Sequence, residues 1–175
     1  MPDDNKTPPR IQSDAEKSYE TLSILAWIAV VILTINVSHF VGEEVGAIVY
    51  ESPGDWIDIF NGFMIGLLKA GPTIFIALAL IDFAGFFHRC GQGDTFTERN
   101  VKTLKGGAES LIAAAVVSGI IKPMILDAID EPGAYEILDF TDLALGVGLM
   151  GVALYGFASV LKDAVALKSE NDEFV

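Results

Sequence analysis

The sequence predicts an all-α membrane protein, a four-transmembrane-helix bundle with both termini cytoplasmic. Three observations carry that expectation. Four apolar blocks are each long enough to cross a hydrocarbon core of about 30 Å, which takes roughly 20 apolar residues. A polar, net-basic run from Cys90 to Lys105 divides those blocks into two pairs. The lysines and arginines gather at alternate helix ends, leaving the loops at the other ends with acids and no bases.

The acidic total does not contradict a membrane location once the charges are placed. The chain has 175 residues, 51% of them hydrophobic, with 24 acidic and 11 basic side chains and a formal net charge of -13. Ten of the 24 acids fall in the two base-free loops, five in each. An acidic chain also argues against nucleic acid as a partner, because binding phosphates needs a basic patch. Cys90 is the single cysteine, which excludes an intrachain disulfide and paired-thiol chemistry.

Taken in order, residues 1–20 are polar, carry Pro2, Pro8 and Pro9, and read as a disordered cytoplasmic tail. Ser13 and Glu16 have capping-box spacing, so helix is expected to begin near the end of that tail. The membrane domain is expected over residues 21–165. Its first crossing, about 21–41, is too long for a signal-peptide core and has no small-residue cleavage site after it. Residues 42–58 form an acidic loop with Glu43, Glu44, Glu51, Asp55 and Asp58. The next apolar block exceeds one untilted crossing and is interrupted at Gly71-Pro72. Apolar residues at 56, 57, 60, 63, 64, 67 and 68 have helical amphipathic spacing, so 56–68 is expected to lie on, or lean out of, the outer surface, with the crossing proper at about 70–88.

Residues 89–105 form the central cytoplasmic loop. Gly91 and Gly93 permit a sharp exit from the preceding helix, since glycine enters left-handed conformations without steric penalty. Thr97 is placed to cap a new helix, with Phe96 and Val101 positioned as a hydrophobic staple and Glu98 at the positive end of the dipole. Thr95 with Glu98 offers a competing cap two residues earlier. The third crossing is expected at 106–126, where Gly106, Ser110, Ala114 and Ser118 make a ridge of small residues. After a second acidic loop the fourth crossing is expected at 143–162, followed by a polar cytoplasmic tail at 166–175. Counting lysines and arginines alone, both termini and the central loop face the cytoplasm.

Charges within the apolar blocks are candidate functional groups, because each costs about 2.5 to 3.5 kcal/mol at the bilayer centre. Lys69 is central if its helix begins at 59 and interfacial if it begins at 70; the Gly71-Pro72 break favours the interface. Lys122 is close enough to the outer boundary to reach Asp127 or Asp130. Asp82 and Glu109 fall near cytoplasmic helix ends, where pairing with Arg89, Lys102 or Lys105 is favoured over a cation or proton site. His39 and Glu43 stand one turn apart, and His88 lies near Cys90, but neither pair completes a metal site. The row Gly62, Gly66 and Ala70 fits helix packing within the chain.

The pattern formed by Gly93, Phe96, Thr97, Asn100 and Leu104 resembles the central loop of a family of bacterial four-pass membrane proteins catalogued as domain of unknown function 2975. That resemblance implies a fold and a location, the bacterial cytoplasmic (inner) membrane, and no chemistry. No catalytic triad, phosphate loop or dinucleotide fingerprint occurs, so no enzyme, cofactor or metal is expected. The lipid bilayer is the first expected partner, with a protein partner or a second copy of the chain beside it. The function read from the sequence is non-enzymatic and contact-based; the alternative is a small oligomeric transporter or channel that uses the intramembrane charges.

Overall fold

A computed structural model describes residues 14–51, 56–129 and 142–173. The Ser13 cap, Asp55, and the acidic residues from Asp130 to Asp139 lie outside that set. The described residues form helix α1 (Asp14–Glu51), α2 (Trp56–Gly91), α3 (Glu98–Val116), a π-helical turn (Val117–Ile121) running on into α4 (Lys122–Ile129), and α5 (Asp142–Glu173). No strand occurs among them. Four spans are long and apolar enough to cross a membrane, with α3, the π turn and α4 together making the third.

Three helices outrun their expected limits. α1 has 38 residues and α2 has 36, about 57 Å and 54 Å against a core of about 30 Å. Much of the expected acidic loop 42–58 is therefore helix. The reason is packing: Val41, Glu44, Val45 and Ile48 continue the half-buried stripe of α1 along α2. An ideal Cβ on Gly66 would stand 2.9 Å from the Cα of Val41, so the two backbones nearly touch there.

The expected separation of 56–68 from 70–88 is likewise absent, and α2 runs unbroken through Pro72. Proline removes one backbone donor and crowds the preceding turn, but membrane helices tolerate it where neighbours hold them. Here Ala70 is fully buried, and a Cβ on Gly71 would meet the Val117 side chain at 3.1 Å. At the other end of the chain, α5 continues through residues 166–173, expected as tail. Its extension opens on Ala166, Leu167 and Lys168, good helix formers, and Val165 just before it packs on the core.

The helices pack in chain order, α1 on α2, α2 on α3, α3 on α5, with no comparable pairing of α1 and α5. Each outer helix accordingly buries one narrow stripe: Ser23, Ala26 and Val30 in α1, and Ala144, Gly151, Ala158 and Leu161 in α5. The four-helix bundle is open along one side. Ile28, Val31 and Ile35 of α1, and Leu149, Val152 and Val160 of α5, are left exposed, as lipid-facing side chains must be. Small residues set the close approaches, since a Cβ on Gly151 would stand 2.9 Å from the Ala108 carbonyl oxygen. The end carrying the 92–97 turn is called basal below, and the end where α1 meets α2 apical.

Candidate functional site

The basal turn is built from the end of α2 and the start of α3. The amides of Gly93 and Asp94 donate to the carbonyls of Cys90 and Arg89 at 3.1 Å each, the paired bonds of a Schellman ending. That ending requires a left-handed residue, and Gly93 supplies it with φ of +91°. Four residues later Thr97 caps α3: its hydroxyl accepts from the Asn100 amide at 3.3 Å, and its own backbone is extended. Of the two caps the sequence offered, Thr97 is the one formed.

Asn100 ties the two helix ends together, and it has no solvent exposure. Its Oδ1 accepts from Arg89 Nε at 2.6 Å, while its Nδ2 donates to the carbonyls of Asp94 and Thr95. The same nitrogen lies 3.9 Å from the Cys90 sulfur. Arg89 Nη2 donates to Thr103 Oγ1 at 2.6 Å, so one guanidinium on α2 bridges two positions a turn apart on α3. A planar, always-charged fork suits this double attachment; a lysine would reach only one acceptor well.

Below this network lies the basal core, where Val101 and Leu104 pack with Ala158 and Leu161 of α5, flanked by Phe83 and Phe86 of α2. Four of the five motif residues thus have structural work: Gly93 turns the chain, Thr97 caps, Asn100 ties and Leu104 packs. Phe96 does not share it. Its side chain is 48% exposed on the turn.

The charged candidates within the apolar blocks lie on two spans, Lys69 and Asp82 on α2 and Glu109 and Lys122 on the third. Lys69 donates to Glu44 Oε1 at 2.5 Å, with both side chains about a third exposed. Glu44 belongs to the acidic 42–58 stretch, and Lys69 meets it because α1 continues as helix past Val41. Glu109 pairs with Lys105, one turn away on the same helix, at 3.8 Å, and that lysine also lies over the Tyr155 ring at 5.1 Å. Asp82 and Glu109 are not brought together: Asp82 faces α3 at Gly106, whose Cβ would stand 2.9 Å from its carboxylate. Lys122 opens α4 half-buried, on the same short helix as Asp127. His39 and Glu43 form an exposed contact of 3.3 Å. His88 is exposed and bonds Gln92, whereas Cys90 is buried, so those two do not share a site.

Sequence reasoning missed Arg89 as the hub and Glu44 as the partner of Lys69. The first is a tertiary contact with no signature in spacing. The second had a signal, the apolar positions Val41, Val45 and Ile48, which prolong the helical period of α1 through the acidic stretch.

Four spans long and apolar enough to cross a membrane, with an exposed apolar outer surface, define a multi-pass, all-α membrane protein. The chain belongs to the family described as Protein of unknown function (DUF2975), which matches residues 12–175. No curated protein and no solved structure gives a significant match.

Proposed function

We propose that this is a non-enzymatic protein of the bacterial inner membrane that acts through protein contacts made by its basal turn in the cytoplasm. One observation carries the reading. The turn is held by Gly93, Thr97, Asn100 and Arg89 in a single conformation, and its one large apolar side chain, Phe96, is half-exposed. A rigid aromatic anchor needs little ordering on binding, which is what contact hot spots exploit. The orientation rests on Lys17, Arg89, Arg99, Lys102, Lys105, Lys162 and Lys168, all basal, against Lys69 and Lys122 at the apical side.

The transporter alternative needs a charged site in a polar cavity near the midplane. Lys69 is instead paired with a carboxylate, that of Glu44. The cavity between α2, the third span and α5 holds about 150 Å³ and offers Thr73 and Ser118 amid apolar residues. The contact reading is therefore preferred. To test it, a photo-crosslinking amino acid is placed at the exposed neighbour Gln92, with and without Phe96→Ala. A discrete protein adduct that disappears in the Phe96→Ala chain, at unchanged melting temperature, is the expected result. An adduct indifferent to Phe96, or none, contradicts the proposal.

A further inference from the structure

Between the first turns of α3 and the basal extension of α5 lies an open cleft of about 830 Å³. Its walls carry Arg99 and Lys102 from α3 and Lys162 from α5, three exposed cations on two helices. None of the three makes an ion pair with a described residue, unlike Lys69 and Lys105. The floor is apolar, with Val101 and Val165. In a chain of net charge -13, three uncommitted cations converging on one concavity are a local reversal of sign.

The lining of the cleft identifies what would fill it. Lys102 lies in the second turn of α3, one turn before Lys105, and Lys162 follows Ala158 and Leu161 of the basal core on α5. Lysines and arginines gathered at one end of membrane helices belong with the headgroups, so a cleft lined by Arg99, Lys102 and Lys162 is suited to meet lipid phosphates. Its floor, Val101 and Val165, is apolar, as the glycerol and upper acyl carbons of a phospholipid require. Basic pockets between membrane helices at such an interface are suited to anionic headgroups. We propose that this cleft binds the headgroup of an anionic phospholipid, with Arg99, Lys102 and Lys162 around the phosphodiester. Glu98 and Glu170 at the rim oppose the charge and set a preference for a compact headgroup, because a bulkier anion would meet their carboxylates. The proposal goes beyond the protein-contact reading and does not depend on which compartment the basal end faces.

The test uses the full chain in detergent, titrated with short-chain phosphatidylglycerol and, separately, with phosphatidylcholine of equal chain length, and read by native mass spectrometry. Phosphatidylglycerol is expected to bind at least tenfold more tightly, roughly speaking, and to weaken with salt. Each cation near anionic lipid contributes a factor of about five, so Lys102→Gln combined with Lys162→Gln should weaken phosphatidylglycerol roughly tenfold or more. Lys168→Gln, on α5 but outside the cleft, should change it less than about twofold, and Glu170→Gln should strengthen it. All substitutions are at exposed positions, and unchanged melting temperatures confirm folding. Equal binding of the two lipids, or a double variant that binds like the parent, overturns the proposal. So does displacement of the lipid by millimolar inorganic phosphate or by a polyglutamate peptide, which would assign the cleft to a soluble anion or an acidic protein.

Discussion

Asn100 shows how much one buried amide can hold in place. It accepts from a guanidinium and donates to two carbonyls of the turn, so its removal strands Arg89 Nε and two backbone oxygens at once. A buried hydrogen bond to a charged group contributes about 1.5 to 3 kcal/mol, and Asn100→Ala is expected to lose at least that much in detergent melting. Thr97→Ala should cost about 1 kcal/mol, the usual value of a lost cap, and Phe96→Ala less than either because the ring is half-exposed. A Phe96→Ala chain that melts like Asn100→Ala would place Phe96 in the fold rather than at a contact surface. Gly93 and Thr97 were legible in the sequence because a turn and a cap are local, decided within a few residues. The role of Asn100 was not, since its partners on α2 meet it only when the helices pack.

At the scale of elements, the contacts between helices turn on where a side chain can be accommodated. Gly66→Val would drive its Cβ against the Val41 backbone, which cannot yield like a flexible side chain, and is expected to destabilise by about 1–3 kcal/mol. Gly46→Ala, on the same hairpin but with open space around it, should be neutral or stabilise by about 0.5–1 kcal/mol. Equal losses in the two variants, measured by thermal melting, would contradict the register of α1 on α2. The Glu44–Lys69 pair spans that hairpin at its partly exposed apical boundary. A double-mutant cycle with Glu44→Gln and Lys69→Met should therefore give a coupling of about 1 kcal/mol or less. A coupling of several kcal/mol would put the pair inside the hydrocarbon. The helices themselves were readable from four apolar blocks, but their ends were not. Acidic residues after Val41 and the Gly71-Pro72 step are local signals for a boundary, and in both places the packing of α1, α2 and the π turn overrides them.

At the scale of the whole molecule, the open arrangement follows from the solvent. In water an outer helix that buried a single stripe would leave a large apolar face exposed, whereas in lipid that face is already solvated. α1 and α5 can therefore stand at the two edges of the row without meeting. The number of spans was legible in composition alone; the open side was not, because lipid-facing and helix-facing positions are both apolar. What ties these scales together is the claim that the spans cross a bilayer and leave the basal turn on the cytoplasmic side, the same side as the ends of α1 and α5 nearest the chain termini. Its most direct test is labelling of intact cells with an impermeant thiol reagent, in a Cys90→Ser background. Single cysteines are placed at Tyr50 and Trp56, exposed at the apical end, and at Gln92, exposed in the basal turn. The account predicts labelling at 50 and 56 in intact cells and at 92 only after the membrane is permeabilised; labelling at 92 in intact cells, with 50 and 56 protected, would contradict it.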